Sequence, residues 1–466
     1  MQTRRLAWVG ILGVLSGALV FRAASAEQPP NILLIIADDQ NWYDVGCYGN
    51  PDIKTPHIDR LAAEGMQFHR MFTATAMCAP TRQQLYTGVF PVRNGAYPNH
   101  SLVYPGTKSI AHYLKPLGYR VGLAGKTHFG PPEAFPFEKV GGSQINLAAI
   151  EAFIRRDGDQ PYCLIVAAHS PHTPWSQGDA NQHPPRELTI PPYLFDTPET
   201  RHLLSKYYAE ITYLDGHVVG PCLKFVYESG ALDNTIVLYT SEQGSPMLFG
   251  KFTCYDLGLK TAFLVRWPHH VQPGSQTQAM TQYVDVLPTL IEAAGGPASK
   301  NLDGRSFLSV LEGRLERHRE HVYGVQTTRG IINGSNYPIR SIRSDRYKFI
   351  MNLNADKEPF HNVLTVDWFE ASPVLPSWEK LGGAAAERAR FYTFRPKSEL
   401  YDVITDPWEQ HNLAGQAEYA PVVADLKKRL LAWMNQQGDE GMATELKAKE
   451  RQRKGALERL EKKLER

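Results

Sequence analysis

Short, almost uninterrupted apolar segments recur along much of the chain. They lie at residues 31–37, 119–124, 162–168, 235–240 and 261–267. Such segments are typical of parallel strands that are buried on both faces. Between them, apolar residues recur with helical spacing at residues 56–65, 109–117, 146–155, 200–229 and 282–294. Strands that alternate with amphipathic helices predict an α/β domain built on a large, mainly parallel sheet, which we assign to residues 27–304.

The pattern changes after about residue 304. Segments 322–327, 337–344 and 347–352 resemble shorter strands of a smaller sheet, and a loop-rich stretch then leads to a predicted helix at 420–437. These features predict a smaller α+β lobe over residues 305–440. The remaining residues, 441–466, are rich in charge and predict a helical tail. A solvated or frayed helix is the favoured interpretation of this tail, and a partner-binding helix is the alternative.

The first residues follow a different pattern. Arg4 and Arg5 precede an apolar stretch at 6–21, and Ala24-Ser25-Ala26 supplies small residues for cleavage. This order is typical of a secretory signal peptide, which we place at residues 1–26. A retained membrane anchor is less favoured because the apolar stretch is short for a bilayer span. The sequence therefore predicts an exported protein, periplasmic or secreted, without a stable membrane anchor after cleavage.

Composition and charge limit the partners. The 466 residues are 42% hydrophobic and carry a formal net charge of +2, so nothing favours nucleic-acid binding. An anionic substrate would have to be held by local charges. The five cysteines are too few for a disulfide scaffold at this length, and their odd number leaves at least one thiol unpaired.

Two pairs of oxygen-bearing side chains follow predicted strands directly. Asp38-Asp39 comes after the first strand, and Glu242-Gln243 comes after a later one, followed by Gly244, which permits a sharp turn. Because neighbouring carboxylates repel and are costly to bury, they need a cation or hydrogen-bond donors. Ca²⁺ takes such oxygen ligands at about 2.3–2.6 Å. The pairs predict a cation site if they meet in space, and capping of turns or helices is the alternative.

Cys78 precedes a short predicted helix. Pro80 suits the first turn of a helix, and Gly88 suits its end. Cys78 would then lie at a helix N-terminus, where exposed N–H groups favour an anion, with Arg82 one turn further on. A buried structural cysteine is the alternative that this local pattern leaves open.

Several motifs together resemble one enzyme family. They are Cys78-Ala79-Pro80-Thr81-Arg82 with Thr87-Gly88, Asp38-Asp39, Gly125-Lys126-Thr127-His128, Pro171-His172-Thr173-Pro174, and Glu399-Leu400-Tyr401-Asp402. Along the chain these motifs occur in the order of the sulfatase motifs, which they resemble over nearly the whole mature chain. The stretches at 94–97, 125–131, 169–172 and 340–343 are most similar to the heparan N-sulfatase (N-sulfoglucosamine sulfohydrolase) branch, although 98–101 departs from it.

The resemblance implies an alkaline-phosphatase-like fold, one bound Ca²⁺ and conversion of Cys78 to formylglycine by a maturation enzyme. It implies that the ion is held by the modified Cys78 with Asp38, Asp39, Glu242 and Gln243. It implies that the sulfate is surrounded by Arg82, Lys126, His128, His172 and Lys251, with His169 as a further candidate. One hydroxyl of hydrated formylglycine would attack sulfur, and the other, deprotonated by His128, would expel sulfate. The expected substrate is a sulfate ester or sulfamate on a sulfated saccharide.

Two other functions stay open at this stage. A phosphoester or phosphonate hydrolase of the same superfamily would share the fold and the metal-bearing strand ends. A non-catalytic glycan-binding relative is the second alternative, supported by Glu242-Gln243, where most sulfatases carry Asp-Asn or Asp-His. Each of these residues is one methylene longer and keeps its ligand chemistry.

Overall fold

The computed structural model describes residues 28–158, 160–365, 369–453 and 455. The predicted signal peptide and the tail from residue 456 onward lie outside the described residues. In the part of the chain that is described, we find no helix with the length and apolarity needed to cross a membrane.

Two β-sheets form the framework. The larger sheet contains β1 Asn31–Ala37, β2 Met66–Phe72, β3 Arg120–Gly125, β4 Glu138–Lys139, β5 Tyr162–Ala167, β6 Thr235–Ser241, β7 Lys260–Arg266, β8 Ser275–Thr277 and β9 Thr281–Gln282. Its order is β4-β3-β5-β1-β6-β7-β2-β8, with β9 paired to β2. Its strand pairs are parallel except those that β7 makes with β6 and β2. The prediction of a mainly parallel sheet is confirmed.

Fourteen α-helices lie among the described residues. They are α1 Pro56–Glu64, α2 Cys78–Thr87, α3 Pro91–Asn94, α4 Ile110–Leu114, α5 Leu147–Arg155, α6 Pro198–Leu214, α7 Gly220–Glu228, α8 Asp256–Leu259, α9 Val286–Ala293, α10 Leu308–Leu311, α11 Val374–Leu381, α12 Gly383–Thr393, α13 Ala420–Gln437 and α14 Met442–Leu446. The predicted helix at 200–229 is divided by a π-helical turn, Asp215–Val219.

The central strand β1 shows how the layers form. Leu33 and Ile35 pack with α1, α5 and α7 on one face of the sheet. Ile32 and Leu34 pack with α2, α4 and α9 on the other face. Because successive side chains of a strand point to opposite faces, an uninterrupted apolar strand requires helices on both sides.

The smaller sheet is antiparallel. It contains β10 Val322–Gln326, β11 Ile339–Arg343, β12 Tyr347–Asn352 and β13 Ser398–Asp402, in that order. Leu430 and Trp433 of α13 pack on one face of it, in the same cluster as Phe349. β10 also joins the main domain, because the Val325 N–H donates to the carbonyl oxygen of Ala74, at 2.7 Å. The smaller lobe is confirmed, and its boundaries at residues 304 and 440 stay predictions.

The described part of the tail differs from the predicted solvated helix. The chain forms α14 and a 3-10 turn, Ala448–Arg451, and then pairs with the main domain through a β-bridge between Gln452 and Ser101. The carboxylate of Glu445 is fully buried, and it accepts the backbone N–H groups of Thr328 at 2.9 Å and Arg329 at 2.6 Å. The prediction of a solvated charged helix is wrong here, because this acid has buried backbone donors as partners.

Candidate active site

The register of two neighbouring strands brings the oxygen-bearing pairs together. β1 and β6 are parallel, with Ala37 opposite Ser241. The next residues are therefore Asp38 on one strand end and Glu242 on the other, and the Glu242 N–H donates to the carbonyl oxygen of Ala37, at 3.0 Å. The two pairs meet at the carboxyl edge of the sheet, where ligands bind in open α/β folds.

Asp39 leaves the strand geometry at once. Its φ of 66° lies in the left-handed region, which is uncommon for a residue with a side chain. In a regular strand Asp38 and Asp39 would point to opposite faces. The left-handed turn ends that alternation, so both carboxylates reach the same cluster. Both side chains are fully buried.

Cys78 begins α2, as predicted, and Gly88 ends this helix with a left-handed φ of 64°. All ten residues of the helix are buried. The Cys78 sulfur lies 3.9 Å from Asp39 Oδ1 and 3.8 Å from Gln243 Nε2. Burial, together with the charge of Glu242, raises the pKa of the Cys78 thiol, so an unmodified Cys78 would be a weak nucleophile at neutral pH.

The buried acids and the thiol fit a divalent cation. One ligand atom from each of Asp38, Asp39, Cys78 and Glu242 lies within 4.8 Å of the others. Asp38 Oδ1 and Gln243 Oε1 are buried and have no hydrogen-bond partner within the described residues. The amide nitrogen of Gln243 donates to Asp39 and Glu242, and rotation of the amide would direct Oε1 to the same point. Oxygen-rich ligands of this kind suit Ca²⁺.

Cations balance these carboxylates. Arg82 Nε lies 2.5 Å from Glu242 Oε2, Lys251 Nζ lies 2.6 Å from Asp39 Oδ2, and Lys126 forms an ion pair with Asp38. Although burial opposes the charged form, Asp38 and Asp39 hold the pKa values of Lys126 and Lys251, respectively, above the ordinary range. The charges of these three carboxylates and three cationic side chains cancel. A dication would therefore give the site the net positive charge that an anionic sulfate needs.

The histidines lie at the opening of this cluster. His172 Nδ1 donates to the carbonyl oxygen of Thr173 at 2.6 Å, so Nε2, 3.7 Å from Asp39 Oδ2, is the proton-free nitrogen of the neutral ring. Burial and Lys251 lower the pKa of His172 to about 4. Burial and Lys126 do the same for His169, whose pKa is about 4. Both rings are therefore neutral at pH 7.

His128 pairs with a residue that the sequence did not indicate. Its Nε2 lies 2.7 Å from Nδ1 of His100. Burial and Lys126 lower the pKa values of both imidazoles, that of His100 to about 4. In the sequence, residues 98–101 depart from the pattern of the resembled sulfatase branch. This departure drew attention to the segment but did not indicate what His100 does.

A cavity of about 910 Å³ opens above the cluster. Its lining includes Asp38, Cys78, Lys126, His128, His169, His172 and Lys251. Glu210 and Glu370 also line it, and sequence reasoning missed both. A larger open cleft of about 1260 Å³, lined by Arg70 and Arg319, contains none of the predicted site residues. The smaller cavity is the candidate active site, because the buried cluster of acids around Cys78 lies there.

Two family models of known proteins match this chain. The family model described as sulfatase matches residues 30–145 and 142–296. The chain belongs to the sulfatase family. A second family model, described as the C-terminal part of N-sulphoglucosamine sulphohydrolase, matches residues 244–365. Like other sulfatases, the protein is a hydrolase of sulfuric esters or sulfamates, and the resemblance seen in the sequence is confirmed.

Individual relatives span most of this sulfatase. An ulvan-active sulfatase of Formosa agariphila is 34% identical, over 91% of this chain and 84% of that protein. The N-sulphoglucosamine sulphohydrolase of Homo sapiens is 28% identical, over 87% of this chain and 90% of that protein. A solved structure in complex with its substrate, D-glucosamine-2-N,6-O-disulfate, has a TM-score of 0.69 at 21% identity, covering 89% of this chain and 99% of that chain. This last likeness shows the alkaline-phosphatase-like fold.

Proposed function

We propose that this sulfatase removes sulfate from a sulfated glycan, with Cys78 converted to formylglycine and one Ca²⁺ held by Asp38, Asp39, Glu242 and Gln243. The observation that carries the proposal is the buried cluster in which these ligands surround Cys78 at the start of α2. The proposal includes export, since residues 1–26 have the features of a secretory signal, and a separate maturation enzyme, which the conversion of Cys78 requires.

The side chains around Cys78 suit sulfate transfer. Formylglycine would supply a hydrated aldehyde with two hydroxyls, and Ca²⁺ would offset the charge of the sulfate oxygens. Lys126 and Lys251 provide fixed positive charge beside the nucleophile, which stabilises charge that develops in the transition state. His128 is neutral and can accept a proton from a hydroxyl of the nucleophile.

We propose that His172 assists the leaving group. Its Nδ1 proton is held by the carbonyl oxygen of Thr173, so it has to carry a second proton, at Nε2, to act as an acid. The negative charge of a bound substrate favours that imidazolium. His169 lines the same cavity and contributes a second neutral imidazole to its wall.

Mass spectrometry of the peptide that contains Cys78 tests the modification. The enzyme should be produced in a host with a formylglycine-generating enzyme, and we expect the mass of the aldehyde or its hydrate. Cys78→Ala should lose turnover while it keeps the unfolding midpoint. An unmodified thiol in active enzyme, or an active Cys78→Ala variant, would contradict the proposed mechanism.

Two substrate classes are supported by different relatives. The 34% identical relative is ulvan-active, whereas the family model over residues 244–365 belongs to N-sulphoglucosamine sulphohydrolases. Lys251, Phe252 and Ile331 fall within that second match and line the cavity, which favours an N-sulfated glucosamine. Release of sulfate from N-sulfoglucosamine, from its 6-O-sulfated isomer and from ulvan oligosaccharides should be compared with one preparation.

A phosphate ester tests the alternative that this protein is a phosphoester hydrolase of the same superfamily. The turnover of an aryl sulfate and of the matching aryl phosphate should be measured with the same enzyme. We expect the sulfate ester to be preferred. Higher kcat/KM for the phosphate ester would contradict the assignment of substrate class.

A further inference from the structure

A segment distant in sequence from Cys78 packs on three loops, two of which line the candidate active-site cavity through Asn99 and Gly330. We call residues 448–453 the strap. It begins with the 3-10 turn Ala448–Arg451 and continues through Gln452 and Arg453. Ala448 is fully buried, and it belongs to the cluster that contains Tyr97 and Trp433. The strap is therefore packed on both the main domain and α13.

The strap pairs with the loop at residues 99–104 through its backbone. Gln452 forms an antiparallel β-bridge with Ser101. The Leu102 N–H donates to the carbonyl oxygen of Arg451, at 3.1 Å. The Arg451 guanidinium donates two hydrogen bonds, to the carbonyl oxygens of Leu102 at 2.7 Å and Gly95 at 3.1 Å. These bonds fix the backbone on both sides of His100.

Arg453 contacts the backbone next to both histidines of the pair. Its N–H donates to the carbonyl oxygen of His100, at 3.0 Å. Its guanidinium donates to the carbonyl oxygen of Phe129, the residue that follows His128. One strap residue therefore ties together the two loops that present the paired imidazoles.

Gln452 joins a third loop to this arrangement. Its amide nitrogen donates to the carbonyl oxygens of Asn99 and Gly330, each at 2.8 Å. Gly330 and the next residue, Ile331, line the cavity, as does Asn99. A single amide thus spans the opening between the loop of the large domain and the loop that follows β10.

The glycines under the strap show how close this fit is. Gly330 has a left-handed φ of 93°, and a Cβ atom there would lie 2.6 Å from the Gln452 amide atoms. Gly95 has a φ of 85°, and a Cβ atom there would lie 2.8 Å from Arg451 Nη2. Both positions need glycine for the backbone conformation and for the approach of the strap.

The paired histidines adopt unusual backbone conformations. The φ angles are 56° for His100 and 46° for His128, in the left-handed region. Such conformations persist when the surrounding structure fixes them, and they concentrate at functional sites. His128 Nε2 is occupied by His100, while His128 Nδ1 is buried with no hydrogen-bond partner in the described ranges. A hydrogen bond between two neutral imidazoles needs one donor and one acceptor.

We propose that His100 is a positioning residue for His128 and that the strap holds the two together. His100 Nδ1 accepts the Nε2 proton of His128, which leaves the lone pair of His128 on Nδ1 for proton transfer. This inference rests on the proposed function, because it concerns the base of the sulfatase reaction. The strap acts at a distance, through the backbone of the three loops.

The first experiment compares His100→Ala with His100→Asn. Asparagine places an acceptor oxygen close to the position of Nδ1, so it should keep most of the activity. Alanine should lower kcat and KM together, by about 10- to 100-fold, and leave kcat/KM nearly unchanged, because the misplaced base acts after the sulfate has been transferred to the enzyme. His202→Ala, on the exposed side of α6, is the matched control. Equal activity of the alanine variant and the wild type, or equal loss in both His100 variants, would overturn the proposal.

The second experiment tests the strap without relying on activity. Gln452→Ala should raise hydrogen–deuterium exchange in the loops at 99–104 and 328–332 and leave the strands of the large sheet unchanged. Lys449→Ala, an exposed neighbour, is the control. Gln452→Asn, which shortens the amide, serves as a second variant should the alanine protein fail to fold. Unchanged exchange in both loops would overturn the role of the strap.

The two proposals fail in different ways. An active Cys78→Ala variant would remove the proposed function, whatever the strap does. Loss of activity in Cys78→Ala, together with unchanged kcat in His100→Ala, would leave the proposed function intact and remove this inference.

Discussion

Glu370 contributes a carboxylate to the wall of the active-site cavity. Its Oε1 accepts a hydrogen bond from the backbone N–H of Trp175, at 3.3 Å. Its Oε2 is buried and has no hydrogen-bond partner within the described residues. Such an oxygen suits a sugar hydroxyl or amine. We expect Glu370→Gln to raise KM about 10-fold for a sulfated disaccharide, since hydrogen bonds to charged groups are stronger than neutral ones. KM for an aryl sulfate, which lacks the sugar, should stay unchanged.

Steady-state kinetics with both substrates check this prediction. Glu379→Gln, an exposed acid on α11, is the matched control. An equal rise in KM for the saccharide and the aryl sulfate would contradict the assigned contact with the sugar.

Asp44 predicts a pH-dependent effect on stability. Burial raises its pKa from 3.8 to about 7, although Asn50 donates to it at 3.0 Å. Because the folded pKa is the higher one, its stabilising contribution is complete below 3.8 and is lost as pH rises to about 7. Asp44→Asn should therefore raise the free energy of unfolding most at pH 8, by a few kcal/mol at most, and progressively less toward pH 4.

Urea unfolding at pH 8, 6 and 4.5 measures this effect. Asp52→Asn is the control, because Asp52 belongs to the same loop and is less buried. A gain of stability that is equal at all three pH values would contradict the expected titration of Asp44.

At the scale of elements, the apolar strands buried on both faces could be predicted from the sequence, whereas strands that also contain polar residues could not. β1 and β5 are apolar throughout, so periodicity indicated them directly. β2 was missed because Gln67, His69 and Arg70 interrupt its apolar pattern, and its pairing with β7 is irregular between Phe68 and Met71. β13, α11 and α12 fell in a stretch read as loops, because their burial depends on contacts with distant elements.

The residues of the candidate site also fall into those that the sequence predicts and those that it does not. Helix α2 and the strand-end pairs follow from local pattern, but their meeting depends on the β1–β6 register, which spacing does not encode. His100 and Glu370 lie on loops whose positions are set by tertiary contacts, such as that of His100 with Arg453. Local sequence therefore indicates the proposed ligands and the proposed nucleophile, whereas the residues proposed to orient them require the structure.

A buried ion pair anchors the end of α13 to the smaller sheet. Arg340 on β11 and Asp439, just after α13, are both fully buried in their side chains and form a charge-assisted pair. Asp439→Ala would leave the guanidinium buried without its counter-charge. We expect a loss of about 3–5 kcal/mol in the free energy of unfolding. Asp425→Ala, in an exposed pair with Arg429 on α13, should cost far less, because solvent screens that pair.

Urea unfolding of the two variants gives the comparison. Equal destabilisation would contradict the view that burial decides the strength of these ion pairs. Retained stability in Asp439→Ala would show that Arg340 finds another acceptor, such as the carbonyl oxygen of Gln326, which it already contacts at 3.1 Å.

On the scale of the whole molecule, three separate parts of the chain converge on one cavity. The large sheet supplies the carboxylates, the lobe after β10 supplies the wall at Gly330 and Ile331, and the strap ties both to the loop of His100. The carboxylates at the centre are balanced by Arg82, Lys126 and Lys251 before any metal ion binds. The proposed divalent ion would make this site positive, and its removal should affect both stability and activity.

Removal of the divalent cation from purified enzyme should lower its unfolding midpoint and abolish turnover. Anything that binds the folded state alone stabilises it, by about 2.7 kcal/mol when its concentration is 100 times Kd. Chelation by EDTA should lower the midpoint, and added Ca²⁺ should restore both midpoint and activity. Asp38→Asn keeps the side-chain size but weakens the ligand set, so its midpoint should respond less to Ca²⁺. A wild-type midpoint that is unchanged by EDTA, with metal analysis that finds no cation before chelation, would contradict the proposed calcium site.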